Sequence, residues 1–251
     1  MLSKGKIKVL RSLHLNKYRR KEGLFLAEGT VNVLDFLSGP LEVKELFVTE
    51  NWLNEHKRAV VGIKAETVTR QEMHKISALK NPSEVLAIVK MPEYPLPEIL
   101  NIRNYILALD DIRDPGNLGT IIRTADWFGI RDVVCSEETV DAFNPKVVQA
   151  TMGSLARVKV HYADLHGWLS EKPENLKVFG ALLQGDDIRK VEKPGKGILL
   201  IGSEAHGISP KLYPFVDQPV LIPAAPGSGA ESLNAAVAAA IVCYEFCKPG
   251  I

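Results

Sequence analysis

Three stretches of the 251-residue chain hold polar residues at positions where chemistry can be done. In the first, DDIRDPGNLGTIIRTADWFGI (110–130), a strand end turns through Asp114, Pro115 and Gly116 into a helix. Asn117 and Arg123 are six residues apart, so on a helix they project roughly 120° apart about its axis. They share a site if it lies between those faces, or if Asn117 belongs to the loop. Arg123 is the one basic residue between Asn117 and Gly129, and its planar guanidinium suits a phosphate. Read alone, the pair is equally a helix cap and a surface arginine. The second stretch, ILLIGSEAHGIS (198–209), is an apolar run ending in a glycine and a polar turn. Glu204 follows the carboxyl end of a buried strand, where α/β enzymes place functional groups, although a simple turn reads the same way. His206 is a lone polar loop residue. The third, VLIPAAPGSGAESLNAAVAAAIVCYEF (220–246), joins a short strand at Val220–Ile222 to a helix opening at Glu231 and Ser232. Its loop of Pro, Gly, Ser and Ala leaves backbone amides unscreened, and delivers Ser and Asn to a helix N-terminus. That arrangement suits an anion or a polar small molecule. It also describes an ordinary strand–loop–helix unit.

The elements that position these residues follow from hydrophobic periodicity. Residues 6–20 read as a basic amphipathic helix, with Ile7, Leu10, Leu13 and Tyr18 inward and the basic residues outward. A strand at Leu24–Ala27 leads to a helix carrying Val31, Val33, Leu34 and Leu37. A strand at Val43–Val48, helices near Trp52–Arg58 and Arg70–Leu79, and a strand at 85–90 (VLAIVK) complete a small α/β domain. Pro92, Pro95 and Pro97 then mark a linker. Beyond it, strands are expected at 105–110, Asp132–Cys135, Val158–His161, Val178–Ala181 and Ile198–Ile201, with a helix at Asn117–Gly129. Solid apolar strands alternating with helices predict a parallel, doubly wound sheet. No GxGxxG follows the first strand of either half, and no Walker loop, HExxH or GxSxG occurs. The ligand site must therefore be built from other loops at the carboxyl ends of the strands.

Composition narrows the function class. Hydrophobic residues at 46% and charged residues at 24% are those of a globular protein, and no apolar run reaches the roughly 18–20 residues of a membrane helix. Lysines punctuate the N-terminus and leave no signal-peptide core. Three cysteines without a CxxC pair or a His cluster argue against a zinc site or disulfide framework, and for a reducing compartment, the cytoplasm. Net charge is only +1, yet residues 1–21 hold eight Lys and Arg residues and no acid. Such a block is either a footprint for nucleic acid or a solvated helix face.

The segments NLGTIIRTADWFG, LLIGSEAHGIS and LIP…ESLNAAVAAAIVCYE, in this order and spacing, resemble the three motifs of the SpoU/TrmH family in the SPOUT superfamily. These are RNA ribose 2′-O-methyltransferases that use S-adenosylmethionine. The resemblance spans roughly 105–247. Residues 1–91, with FLAEG and VLAIVK, look like the RNA-binding substrate domain often fused in front, which resembles a small ribosomal-protein fold. The resemblance implies an α/β protein with an RNA-binding domain over 1–91, a linker over 92–103, and a SPOUT domain with a parallel sheet and trefoil knot over 104–251. It makes Gly202, Ile222 and Leu233 the cofactor-contacting positions, and Asn117, Arg123, Glu204, Ser232 and Asn234 the functional polar set. It also implies a homodimer through the final helix and an rRNA or tRNA substrate. In the third motif Ala224 replaces the family's Met and the loop APGSGAE is longer, which bears on the cofactor pocket. Two other readings are an RNA-binding assembly protein that kept the fold without catalysis, and a SPOUT base methyltransferase. The latter generally lack this Asn–Arg and Ser-Leu-Asn set.

Overall fold

The solid apolar runs become the central strands. The computed structural model describes residues 1–247, which divide into two compact units. One comprises Met1–Glu93 and Asp141–Arg157, the other Tyr94–Val140 and the described chain from Val158 onward.

In the first unit, α1 (Lys4–Ser12) and α2 (Asn16–Glu22) precede β1 (Leu24–Glu28), α3 (Thr30–Ser38), β2 (Val43–Val48), α4 (Glu50–Glu55), β3 (Ala65–Thr67), α5 (Arg70–Ile76) and β4 (Val85–Lys90). The sheet order is β1-β4-β2-β3, with β4 antiparallel to both neighbours and β2 parallel to β3. VLAIVK is central, as its unbroken apolar run demands. Leu10, Leu13, Leu26, Phe47, Met73 and Leu86 share one core.

The helix expected over 6–20 is two helices, because Leu13 turns into the core while Leu15 stays exposed. Nor do all its basic residues point outward. Arg19 is 1% exposed; its Nη1 donates to Leu13 O and His14 O at 3.0 and 2.9 Å, and its Nε to Asp141 Oδ2 at 3.0 Å. A buried guanidinium persists only when its donors are satisfied and its charge is paired, and Asp141 does both. That partner lies 122 residues away in sequence. Tyr18, read as inward, is 38% exposed.

In the second unit, β5 (Tyr105–Leu109), α6 (Pro115–Trp127) and β6 (Asp132–Cys135) come first. The chain then passes through α7 (Pro145–Thr151), which is grouped with the first unit, where Gly153 N–H donates to buried Asn32 Oδ1 at 2.6 Å. Next come β7 (Lys159–Tyr162), α8 (Leu165–Ser170), β8 (Val178–Asp187), β9 (Gly197–Ile201), β10 (Gln218–Leu221) and α9 (Ala235–Phe246). The six strands are all parallel, ordered β10-β8-β9-β5-β6-β7. Every residue of β5 and β9 is buried, as central strands of a covered parallel sheet must be. Strand β8 runs beyond the expected Ala181 to Asp187, but pairs with β10 only at Phe179–Gly180 and Asp186–Asp187. The final helix starts later than Ser232, because Asn234 is its N-cap, Oδ1 accepting from Ala236 and Val237 N–H at 3.0 and 3.3 Å. Its expected end at Lys248, Pro249 and Gly250 lies outside the described residues. Among the described residues no helix is long and apolar enough to cross a membrane, and no cluster of His, Cys, Asp or Glu is placed to hold a metal ion.

Glu72 ties α5 to the start of the chain. Its Oε2 accepts from Thr69 N–H at 3.0 Å and its Oε1 from Leu2 N–H at 2.7 Å, while Thr69 Oγ1 accepts Glu72 N–H, a capping box. Those donors, Thr69 first, pull the Glu72 carboxyl down to about 2. A carboxylate with a folded pKa below its unfolded value stabilises the fold above the unfolded value, and loses that contribution as pH falls. Urea unfolding of Glu72→Gln against wild type should therefore show a full stability deficit above pH about 5 that closes as pH falls towards 2. A deficit independent of pH would mean that the side chain acts by packing alone.

Candidate active site

Parallel strands put all their carboxyl ends at one sheet edge, so Leu109, Ile201 and Leu221 release their loops on the same side. Asp110 ties two of those loops together. It is 2% exposed, its N–H donates to Ile201 O at 2.9 Å, and its Oδ2 accepts from Ser209 N–H at 2.7 Å. After β9 the chain folds back at once, with Ser203 and Gly207 exchanging backbone hydrogen bonds at 3.1 and 2.9 Å. Gly202 is required there, since a Cβ would lie 2.0 Å from the Gly207 carbonyl carbon. Glu204 stands exposed at the tip. Asp114 caps α6, accepting Asn117 N–H at 2.8 Å, with Pro115 at the first helical position, so Asn117 sits in the first turn of that helix.

These capped ends meet. Asn117 Nδ2 donates to Glu204 Oε1, and Asn234 Nδ2 donates to Asn117 Oδ1 at 2.9 Å and to Glu204 Oε1 at 3.3 Å. Ala235 N–H, at the positive end of α9, reaches the same carboxylate oxygen at 3.3 Å. One side chain from each of the three stretches is thus locked to the other two. The cluster is exposed, so its bonds add little stability; they fix the Asn117 amide, which donates to one partner and accepts from the other.

The other expected residues stand apart from this cluster. Arg123 is exposed and makes no hydrogen bond or ion pair among the described residues; it shares the open stripe of α6 with Thr120 and Trp127. Ser232 is exposed and unbonded among the described residues, and Leu233 is 43% exposed. Gly202 and Ile222 are half-buried at the ends of β9 and β10. Sequence reasoning passed over Asp110 and Asp111, whose signal is a pair of acids at the end of an apolar run. Asp111 has φ +56°, its N–H donates to Ser136 Oγ at 3.0 Å, and the next N–H, of Ile112, donates to Thr139 Oγ1 at 3.3 Å. Burial pushes the Cys135 and Cys243 thiols up, which leaves neither as a nucleophile.

The loop before α9 is suited to a polar ligand. Between Ala224 and Leu233, the N–H groups of Ser228 and Ala230 meet Ala225 O and Ser228 Oγ at 3.1 and 3.4 Å; the others meet no acceptor among the described residues. Small side chains leave those amides accessible, which fits recognition of a polar ligand through the backbone. Helices α6 and α9 flank an open groove of about 450 Å³ lined by Asn117, Thr120, Asn234, Ala236, Val237, Ala240, Ile241 and Tyr244.

The sequence profile of the SpoU rRNA methylase family matches residues 104–244, and that of an MRM3-like substrate-binding domain matches residues 4–87. The chain is 34% identical over 243 residues to the 23S rRNA (guanosine(2553)-2′-O)-methyltransferase of Bacillus subtilis, covering 96% of this chain and 95% of that one. Among solved structures, a TrmH-family protein from Porphyromonas gingivalis superposes with a TM-score of 0.86 at 35% identity, over 98% of each chain. The AdoMet-bound rRNA methyltransferase of Sinorhizobium meliloti superposes with a TM-score of 0.86 at 31% identity, over 98% of this chain and 95% of that one. With its three motifs interlocked at one sheet edge, and matched over nearly its full length by such relatives, the chain belongs to the SpoU rRNA methylase family.

Proposed function

We propose that the protein is an S-adenosylmethionine-dependent methyltransferase that modifies a ribose 2′-hydroxyl of RNA, with ribosomal RNA as the substrate class and the cytoplasm as its place of action. The observation that carries this reading is the lock between Asn117, Glu204 and Asn234, one residue from each family motif. S-adenosylmethionine, when bound, supplies an electrophilic methyl group. Gly202, Ile222 and Leu233 are the positions that hold it, together with the open amides of the loop before Leu233; the trefoil knot belongs to the same reading. Asn117, Glu204 and Asn234 hold the ends of α6 and α9 in register, so that the reacting groups meet in a fixed geometry. The ribose oxygen gains the methyl group as the sulfonium–methyl bond breaks, and its proton passes to solvent water. A guanidinium gives up a proton reluctantly, so Arg123 is better suited to hold the RNA phosphate and stabilise the developing oxyanion. Ser232 stands at the mouth of α9, where its hydroxyl serves phosphate or Arg123.

The first unit binds the substrate RNA. Lys4, Lys8, Arg11, Lys17 and Arg20 are exposed on α1 and α2, a cationic face suited to phosphates. The partner of α9 is a second copy of the chain. Val237, Ala240, Ile241 and Tyr244 recur at helical spacing along the side of α9 that lines the groove, with Val237 47% and Tyr244 56% exposed. Ala239, by contrast, is fully buried against its own protomer.

Three outcomes test this reading. Arg123→Ala should lower methyl transfer to a 23S rRNA transcript by about 10²–10³-fold while calorimetry shows S-adenosylmethionine binding intact. Near-wild-type turnover would remove Arg123 from the chemistry. Deleting the basic stretch would strip Leu10, Leu13 and Arg19 from the core, so the informative variant changes Lys4, Lys8, Arg11 and Lys17 to Gln. Its log–log dependence of RNA affinity on salt should flatten by about 0.7 per lost contact. An unchanged slope would make this face solvated surface only. Ala240→Lys, which places a charge in the groove without entering the protomer core, should give a monomer by analytical ultracentrifugation and reduced methyl transfer. A fully active monomer would sink the symmetric interface.

A further inference from the structure

Between Tyr105 and Gly129 the chain carries two basic residues, Arg113 and Arg123, against four acids, Asp110, Asp111, Asp114 and Asp126. Arg113 lies in the loop between β5 and α6, immediately before the cap Asp114 and four residues before Asn117. Its Nε donates to Asp111 Oδ1 at 2.7 Å, while its two terminal nitrogens meet no acceptor among the described residues. The side chain is 73% exposed and that of Asp111 18%. Arg189 makes a useful contrast at the same sheet edge. It also pairs with an acid two residues before it, but through both Nε and Nη2, so the Asp187 carboxylate occupies the guanidinium fork. Arg113 is held by one nitrogen and its fork is left open. Such an open fork is the geometry that takes two oxygens of a phosphate.

The backbone beneath it is constrained. Asp111 and Met152 are the two non-glycine residues with positive φ among the described residues, at +56° and +49°. That conformation is disfavoured for a residue with a Cβ and persists where surrounding bonds over-determine it. Here the N–H groups of Asp110, Asp111 and Ile112 are bonded to Ile201 O, Ser136 Oγ and Thr139 Oγ1, and the Asp110 carboxylate holds Ser209 N–H. The result is a rigid corner whose half-buried carboxylate aims one guanidinium out of an acidic loop. A phosphate brought to this loop would meet repulsion from its carboxylates unless a cation received it.

We infer that Arg113, aimed by Asp111, is a phosphate-binding residue for the RNA strand that enters the active site. This rests on the methyl-transfer reading above and goes beyond the motif residues by assigning a binding role to Arg113 and a positioning role to Asp111.

The test uses the full chain with a 23S rRNA transcript, measuring steady-state methyl transfer and, separately, filter binding across a salt series. Arg113→Ala should raise the KM for RNA about tenfold while kcat and S-adenosylmethionine affinity stay close to wild type. The log–log salt slope of binding should become shallower by about 0.7, the share of one phosphate contact on a single strand. Arg113→Lys keeps the charge and loses the fork, so it should restore the slope and only part of the KM. Asp111→Asn, which tolerates the left-handed backbone but releases the guanidinium, should raise KM and leave the slope unchanged. An Arg113→Ala protein with wild-type KM and wild-type slope would overturn the assignment. If the wild type bound the transcript but did not methylate it, the substrate reading would fail while the slope still judged Arg113. A wild type that did not bind RNA would overturn both.

Discussion

The architecture of the candidate site depends on one buried carboxylate at the end of a central strand. Asp110 follows directly on the fully buried β5, where an ionised group persists only with partners. Its partners are backbone: its own N–H extends the ladder to Ile201 O, and its carboxylate holds Ser209 N–H on the far side of the turn after β9. The turn between them carries Glu204, so the position of Glu204 is set from both ends by Asp110. With Glu204 placed, Asn117 and Asn234 are fixed on it, and with them the first turns of α6 and α9. The reach of this one residue explains how a site of exposed, individually weak hydrogen bonds is preorganised.

Helix α9 has two jobs on opposite sides. Ala235, Ala236, Ala239, Val242, Cys243 and Phe246 are buried, and Phe246 packs on Phe179 and Tyr105 with ring centroids 4.6 and 5.5 Å apart. The other side, from Val237 to Tyr244, lines the open groove beside α6. A helix apolar on both sides exceeds what one protomer's core requires. Its N-terminus carries Asn234 of the polar cluster, so the open side borders that cluster. Small residues near that end allow a close approach, which long side chains would prevent.

The first unit solves a different problem, keeping a strongly basic segment both folded and available. Leu10 and Leu13 anchor α1 in the core, and Arg19 turns inward against Asp141. With these anchors inside, Lys4, Lys8, Arg11, Lys17 and Arg20 are left outside. Asp141 belongs to the stretch Asp141–Arg157, which interrupts the second unit in chain order and folds with the first. There Asn32, 1% exposed, donates to Glu28 O and accepts Gly153 N–H, satisfying a buried amide with backbone from both ends of that unit.

Much of this was legible from residue patterns. Unbroken apolar runs at 105–109 and 197–201 announce buried parallel strands, because only a strand covered on both faces tolerates apolar residues at every position. The strands at 43–48, 85–90 and 132–135 follow from their apolar residues and the breakers around them. The three ordered motifs grouped Asn117, Arg123, Glu204, Ser232 and Asn234, of which Asn117, Glu204 and Asn234 meet in the fold, and spacing alone left Asn117 and Arg123 on different faces of a helix. What remained hidden depends on partners distant in sequence. Arg19 reads as a surface cation until Asp141 is brought to it, and Asn234 rather than Ser232 caps α9 because its side chain reaches both the helix amides and Glu204. The left-handed turn at Asp111 is likewise written in no local signal, since Ser136 and Thr139 are what hold it. Local pattern thus determined which segments became strands and helices, because burial of apolar side chains is read residue by residue. Tertiary structure alone decided which charges are buried, which caps engage and which guanidinium is left open. Those outcomes depend on satisfying hydrogen bonds and charges between segments that meet only once the chain has folded.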